Sequence, residues 1–206
     1  MNELLQHALS VFLGFFAIMN PIANTAVFVG LTEGKELTEQ KKIAFKALLI
    51  SFIIILAFAI LGKSIFHLFG ITLPAFRITG GILVFIIGYQ MLHGESSKMH
   101  KSRDNDDVDI AVSPLAVPIL AGPGTIATAM NFAAGGGWAS IIITIAAFAS
   151  LCIITFLCFI FGQKINKLIG TSGLSIITRL MGLILAVIGT QMLIAGISGA
   201  VTAFSK

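Results

Sequence analysis

Met19-Asn20-Pro21-Ile22-Ala23-Asn24-Thr25 lies inside an apolar run that otherwise reads as a membrane-spanning helix, yet it holds a proline and three hydrogen-bonding side chains. Pro21 has no N–H to give to the carbonyl four residues back, and it disfavours helix at Asn20. Backbone polar groups are thereby freed where hydrocarbon offers no partner, so they must be answered from within the protein. The same device recurs 102 positions later, in Leu120-Ala121-Gly122-Pro123-Gly124-Thr125, where the glycines loosen the helix further. One proline in a membrane helix is usually a kink. Two at matched positions, each followed within about a turn by threonine, point to one site made from two breaks.

Working outward, the whole chain supports a membrane setting. Its 206 residues are 57% hydrophobic and 11% charged, with a mean hydropathy of +1.01, whereas about a quarter of residues are charged in soluble domains. The formal charge of +4 does not imply nucleic acid, because the basic residues lie mostly between apolar runs or at their ends, where they set orientation. Cys152 and Cys158, the two cysteines, share one apolar run. They make neither a disulfide framework nor a thiolate metal site, and read as small, inert apolar residues. No Lys or Arg precedes the first run and no small-residue cleavage site closely follows it, so it reads as a retained span.

A requirement of about 20 mostly apolar residues per crossing finds spans near 4–30, 43–66, 73–92, 112–134, 138–161 and 174–200. The first and fourth contain the breaks. The loop from Thr32 to Lys42 is polar and leads into a helix capped near Thr38. Gly94 to Asp109 mixes acids and bases and reads as a flexible connector, while Gly135-Gly136-Gly137-Trp138 is uncharged and carries an aromatic suited to the headgroup level. Lys35, Lys41, Lys42, Lys46, Lys98, Lys101, Arg103, Lys164, Lys167 and Arg179 fall on one side, against Lys63, Arg77 and Lys206 on the other. The positive-inside rule then places both termini outside the cytoplasm, in a multi-pass bacterial inner membrane protein.

The halves repeat. Gly88-Tyr89-Gln90-Met91-Leu92 matches Gly189-Thr190-Gln191-Met192-Leu193 at an offset of 101, and Arg77-Ile78-Thr79-Gly80 resembles Arg179-Leu180-Met181-Gly182 at 102, the offset of the two prolines. Each copy holds three spans, and an odd number makes the second copy enter from the opposite face, as in many secondary transporters. The expected fold is all-α: a polytopic membrane protein of six spans, arranged as two inverted three-span repeats (1–93 and 112–206) around a cytoplasmic connector (94–111). Gly81 and Gly88, and Gly182, Gly189 and Gly196, recur every seven residues as shallow stripes expected to hold the broken helices together.

All nine acidic residues fall outside these spans. Intramembrane proton relays and metal paths usually use Asp, Glu or His, and the breaks offer none. What they offer is neutral: Asn20, Pro21, Ile22, Asn24 and Thr25 in one, Gly122, Pro123, Gly124, Thr125 and Thr128 in the other, with Asn131, Gln90 and Gln191 as support. The positive end of a half-helix receives a carboxylate, and freed carbonyls and amide oxygens receive an ammonium. Such a site suits a small zwitterion whose own side chain is uncharged. Gln90 and Gln191 read equally well as helix-to-helix hydrogen bonds. Arg77 and Arg179, near span starts, could support substrate but read better as snorkelling to headgroups. His7, His67 and His93 lie near interfaces and His100 in the connector, and all read as solvated.

The chain resembles the MarC family of bacterial and archaeal membrane proteins. The resemblance rests on Phe15-Phe16-Ala17-Ile18-Met19-Asn20-Pro21-Ile22, Phe76-Arg77-Ile78-Thr79-Gly80-Gly81, Pro114 through Gly124, and Arg179-Leu180-Met181-Gly182. It implies six spans and transport of small neutral amino acids such as glycine or alanine, within a wider superfamily that includes LysE-like exporters. By position it implies a site of Asn20, Pro21 and Ile22 with Gly122, Pro123 and Gly124. The leading expectation is a secondary transporter, not an enzyme, with no cofactor or metal, a small zwitterionic substrate and a coupling ion, H+ or Na+, left open. Alternatives are export of another small solute or ion, or an intramembrane thiol oxidoreductase. Against the last, Cys152 and Cys158 lie in span five, at neither break.

Overall fold

The computed structural model describes residues 2–94, 111–134 and 137–204, and its regular elements are helices. In chain order they are α1 (Asn2–Met19), α2 (Pro21–Leu31), α3 (Leu37–Leu68), α4 (Leu73–Leu92), a π-helical segment (Ala111–Leu120), α5 (Pro123–Ala134), α6 (Gly137–Ile160) and α7 (Gly162–Phe204). The protein is an all-helical, polytopic membrane protein. Five stretches are long and apolar enough to cross a bilayer: Leu4–Leu31, which is α1 with α2, Leu37–Gly62, Leu73–Leu92, Gly137–Ile160 and Gly162–Ala203. The remaining expected span, 112–134, is divided between the π segment and α5, each too short to cross alone.

That division has a local cause. A proline in a helix excludes the carbonyl four residues back and donates no hydrogen bond, and prolines stand at 114 and 118 in this run. The backbone relaxes into the wider i→i−5 spiral, whose last bond runs from the Ala121 N–H to the Ala116 carbonyl at 2.9 Å.

Other boundaries differ from those expected. Helix α3 begins at Leu37 after an extended Glu36 that makes no side-chain cap, so Thr38 is already inside it. Gln40 Nε2 closes the preceding turn by donating to the Lys35 carbonyl at 2.9 Å. Gly170, at φ 66 and ψ 172, interrupts α7, so Lys164 and Lys167 belong to a short helical turn before the span rather than to a loop. The connector from 95 to 110 falls outside the described residues.

Large apolar side chains such as Leu13, Phe45, Ile53, Ile142, Ile153 and Ile194 are exposed all round the molecule, which suits lipid and not water. Inside, Phe15 meets Phe148 edge-on with centroids 5.1 Å apart, and Phe28 stacks on Phe159 at 4.4 Å. These rings pin α1 and α2 onto α6. In the other half the π segment and α5 pack onto α3, so the halves exchange partners: α1 on α6 answers the π segment on α3, and α2 on α7 answers α5 on α4.

The glycine stripes have a different role from the one expected of them. They face each other, not the broken helices. A Cβ on Gly81 would lie 2.7 Å from the Gly189 carbonyl oxygen, and one on Gly88 would lie 2.6 Å from that of Gly182. A Cβ on Gly196 would meet the Pro74 carbonyl at 2.9 Å, so α4 and α7 run antiparallel with backbones touching along their length. Gly80, next to the stripe, makes room for both Ala127 of α5 and Met192 of α7.

Candidate functional site

At the first break Asn20 is left-handed, with φ 39 and ψ 68, the one non-glycine residue of positive φ among the described residues. It is the N-cap of α2. Its Oδ1 accepts from the Ala23 N–H at 3.3 Å, which fixes the amide orientation and leaves Nδ2 as the outward donor. Two carbonyls at the break accept from side chains one turn on. Asn24 Nδ2 donates to the Met19 carbonyl, and Thr25 Oγ1 donates to the Pro21 carbonyl at 2.7 Å. Thr155 of α6 closes over the break with its hydroxyl 3.7 Å from the Met19 sulfur. The break also keeps a free donor: buried Asn20 Nδ2 has no partner among the described residues.

At the second break Gly122 and Gly124 are buried while Pro123 is exposed, and the Ile126 N–H returns to the Gly122 carbonyl at 3.0 Å. A Cβ on Gly124 would come within 2.8 Å of Ile18 Cδ1 and 2.7 Å of Ile87 Cδ1, so glycine brings this break against α1 just before Asn20. One side of α5 follows α1: Gly124 faces Ile18, and two turns on Phe132 packs into the space a side chain at Gly14 would need. Thr128 lies midway between those contacts, 1% exposed, with its Oγ1 buried and unpartnered. Thr125 is also buried.

Asn20, Pro21, Asn24, Thr25, Gly122, Gly124, Thr125 and Thr128 are buried and Ile22 is half-buried. The two breaks approach each other through Ile18 against Gly124, whereas Thr25 faces Gly162 at the start of α7. The structure treats the supporting residues differently. Asn131, half-buried near the end of α5, accepts from Arg77 Nε at 2.9 Å, so Arg77 reaches into the protein where snorkelling was expected. Arg179 is exposed. Gln90 is half-buried, and Gln191 is exposed in an open groove of about 300 Å³ that it shares with Phe85, Ala186, Val187, Thr190 and Ile194.

His67 and His93 are exposed as expected and His100 lies outside the described residues, but His7 is half-buried, its ring edge-on to Phe132 and its Nε2 buried without a partner. Sequence reasoning took His7 for a solvated side chain and passed over Gly14 and Phe132. A signal was present only for Gly14, a glycine in the middle of a span. Among the described residues there is no group of three His, Cys, Asp or Glu able to hold a metal ion.

Fold and site together define a polytopic membrane protein in which two interrupted helices meet. The chain belongs to the MarC family of integral membrane proteins, whose family model matches residues 5–201. Among similar proteins, the membrane protein YvbG of Bacillus subtilis is 44% identical over 92% of this chain and 93% of its own length. The membrane protein MJ1677 of Methanocaldococcus jannaschii is 38% identical over 95% and 98%. YhcE of Escherichia coli is 33% identical over 91% and 90%. No solved structure matches the chain significantly.

Proposed function

We propose that this protein is a secondary transporter of small neutral amino acids, of the size of glycine or alanine, working by alternating access around the paired breaks. The two halves are read as inverted repeats in the bacterial inner membrane, with both termini outside the cytoplasm. The observation that supports this best is the pair of buried, unpartnered polar groups, Asn20 Nδ2 and Thr128 Oγ1, on the seam where the breaks meet. An unsatisfied buried donor costs about 1–3 kcal/mol, so a sequence that keeps two beside helix N-termini is suited to a ligand that answers them. A carboxylate fits Asn20 Nδ2 at the N-terminus of α2, where the helix dipole favours negative charge. The ammonium fits carbonyls at the end of the π segment, because Pro123 has no N–H to occupy them. With acids outside the apolar interior, a third charge on the solute would have nothing to balance it.

The test is uptake and counterflow of labelled glycine and alanine in proteoliposomes containing only this protein, with and without imposed H+ and Na+ gradients. Saturable uptake, with counterflow driven by unlabelled substrate trapped inside, is the expected result. Absence of both under every gradient would end the proposal.

A further inference from the structure

Among the described residues four buried side-chain polar atoms lack a partner, and three of them follow the α1–α5 contacts in order: Asn20 Nδ2 two residues after Ile18, Thr128 Oγ1 one turn after Gly124, and His7 Nε2 beside Phe132. A seam of two apolar helices in lipid has no packing reason to retain three such groups, each of which costs stability. Between Thr128 and His7 the seam is filled by Phe132. Its ring takes the space a Cβ at Gly14 would need, with Cε2 3.0 Å from that position, packs edge-on to His7 with centroids 6.3 Å apart, and touches Phe15 at the same separation. The adjacent residue, Asn131, is tied to Arg77 of α4, so the helix carrying the ring is fastened to the other half of the molecule.

The repeat makes this fastening informative. At the offset of 102 that relates the two prolines, Arg77 corresponds to Arg179 and Asn131 to Val29. Val29 has no side-chain acceptor and packs against Gly162 instead, while Arg179 is exposed. One end of the molecule is latched by a charge-assisted hydrogen bond, and the corresponding pair at the other end cannot be.

We infer that the α1–α5 seam is the outer half of the solute pathway, that Phe132 is its gate, and that the Arg77–Asn131 hydrogen bond is the latch holding the gate shut. This rests on the alternating-access reading and adds to it which end is closed and by what. A small dipolar solute released from Asn20 and Thr128 leaves past His7 once the latch parts and the ring swings out of the Gly14 notch. Phe132 and Asn131 act on the pathway's opening and Arg77 positions Asn131.

The test reads opening without any substrate, so it can fail independently of the uptake assay. Thr128→Cys is introduced into the full-length chain with Cys152 and Cys158 replaced by serine. Its labelling by a membrane-impermeant maleimide is then timed from outside intact cells. Phe132→Ala and Asn131→Ala should each speed labelling, by roughly ten-fold for loss of a hydrogen bond to a charged group. Asn131→Asp turns the latch into an ion pair and should slow it several-fold. A merely destabilised protein would label faster in every variant, so slowing by Asn131→Asp separates a latch from a packing defect. Unchanged labelling in Phe132→Ala, or a shift in the same direction for Asn131→Ala and Asn131→Asp, would overturn the inference.

Discussion

Asn20 occupies a backbone conformation that glycine adopts at less cost, which raises the question of why an amide is there. Its Oδ1 caps α2 and its Nδ2 is left over, so the side chain serves the helix with one end and offers the other to the seam. Asn20→Gly separates these roles. Glycine keeps the left-handed turn and is nearly as good an N-cap, so stability should fall by no more than about 1 kcal/mol. Uptake should suffer far more, with kcat/KM falling roughly ten-fold or more if Nδ2 donates to a carboxylate. Transport kinetics and thermal melts of the same purified variant check both halves. Undiminished uptake would remove the amide from the site.

Among the elements, the second break and the α4–α7 pair make separate demands. Pro123→Ala restores an N–H that can bond the carbonyl four residues back and draws α5 toward continuity with the segment before it. Because Pro123 is exposed, no cavity is left, so the protein should still insert while uptake drops by an order of magnitude or more. Retained uptake in this variant would count against a role for the interruption.

Gly88→Ala acts elsewhere. Its Cβ would lie 2.5 Å from the Ala186 nitrogen and 2.6 Å from the Gly182 oxygen, backbone atoms that cannot step aside. Forcing the helices apart should cost about 2 kcal/mol and lower the melting temperature in detergent by about 5 °C. Gly30→Ala, with nothing within 4 Å, is the control that should not move.

These elements also show what sequence carries. The breaks were legible because proline and glycine act on their own backbone, and the glycine stripes because a seven-residue spacing marks one helical face. That the stripes face each other was not, since a stripe says only that something comes close. The π segment was hidden for a related reason: two prolines four apart announce trouble for an α-helix without saying which alternative spiral relieves it. Phe132 reads as any other aromatic in an apolar run until Gly14 is placed opposite it, and Arg77 as any other cation near a span end until Asn131 is found within reach.

For the whole molecule, the decisive quantity is its orientation, because the latched end is outer only if the basic loops are inner. Of the charged residues flanking the spans, Lys35, Lys41, Lys42 and Lys46 stand in or beside the turn between α2 and α3, whereas the turn between α3 and α4, at residues 69–72, carries no charge and has only Lys63 and Arg77 beside it. A cytoplasmic excess of this kind sets the direction of insertion. Arg77 lies just beyond the uncharged turn and Asn131 just before the residues joining α5 to α6, which puts the latch at that end. In the cysteine-free background, Ile71→Cys should be labelled by an impermeant maleimide in intact cells and Glu33→Cys only after permeabilisation, since both positions are exposed. The reverse pattern would turn the molecule over: Phe132 would close the cytoplasmic end, and the same latch would hold back solute arriving from inside the cell. The chemistry of the seam would be unchanged, but the resting carrier would be open to the outside, and the labelling of Thr128→Cys would respond to Phe132→Ala only from the cytoplasmic face.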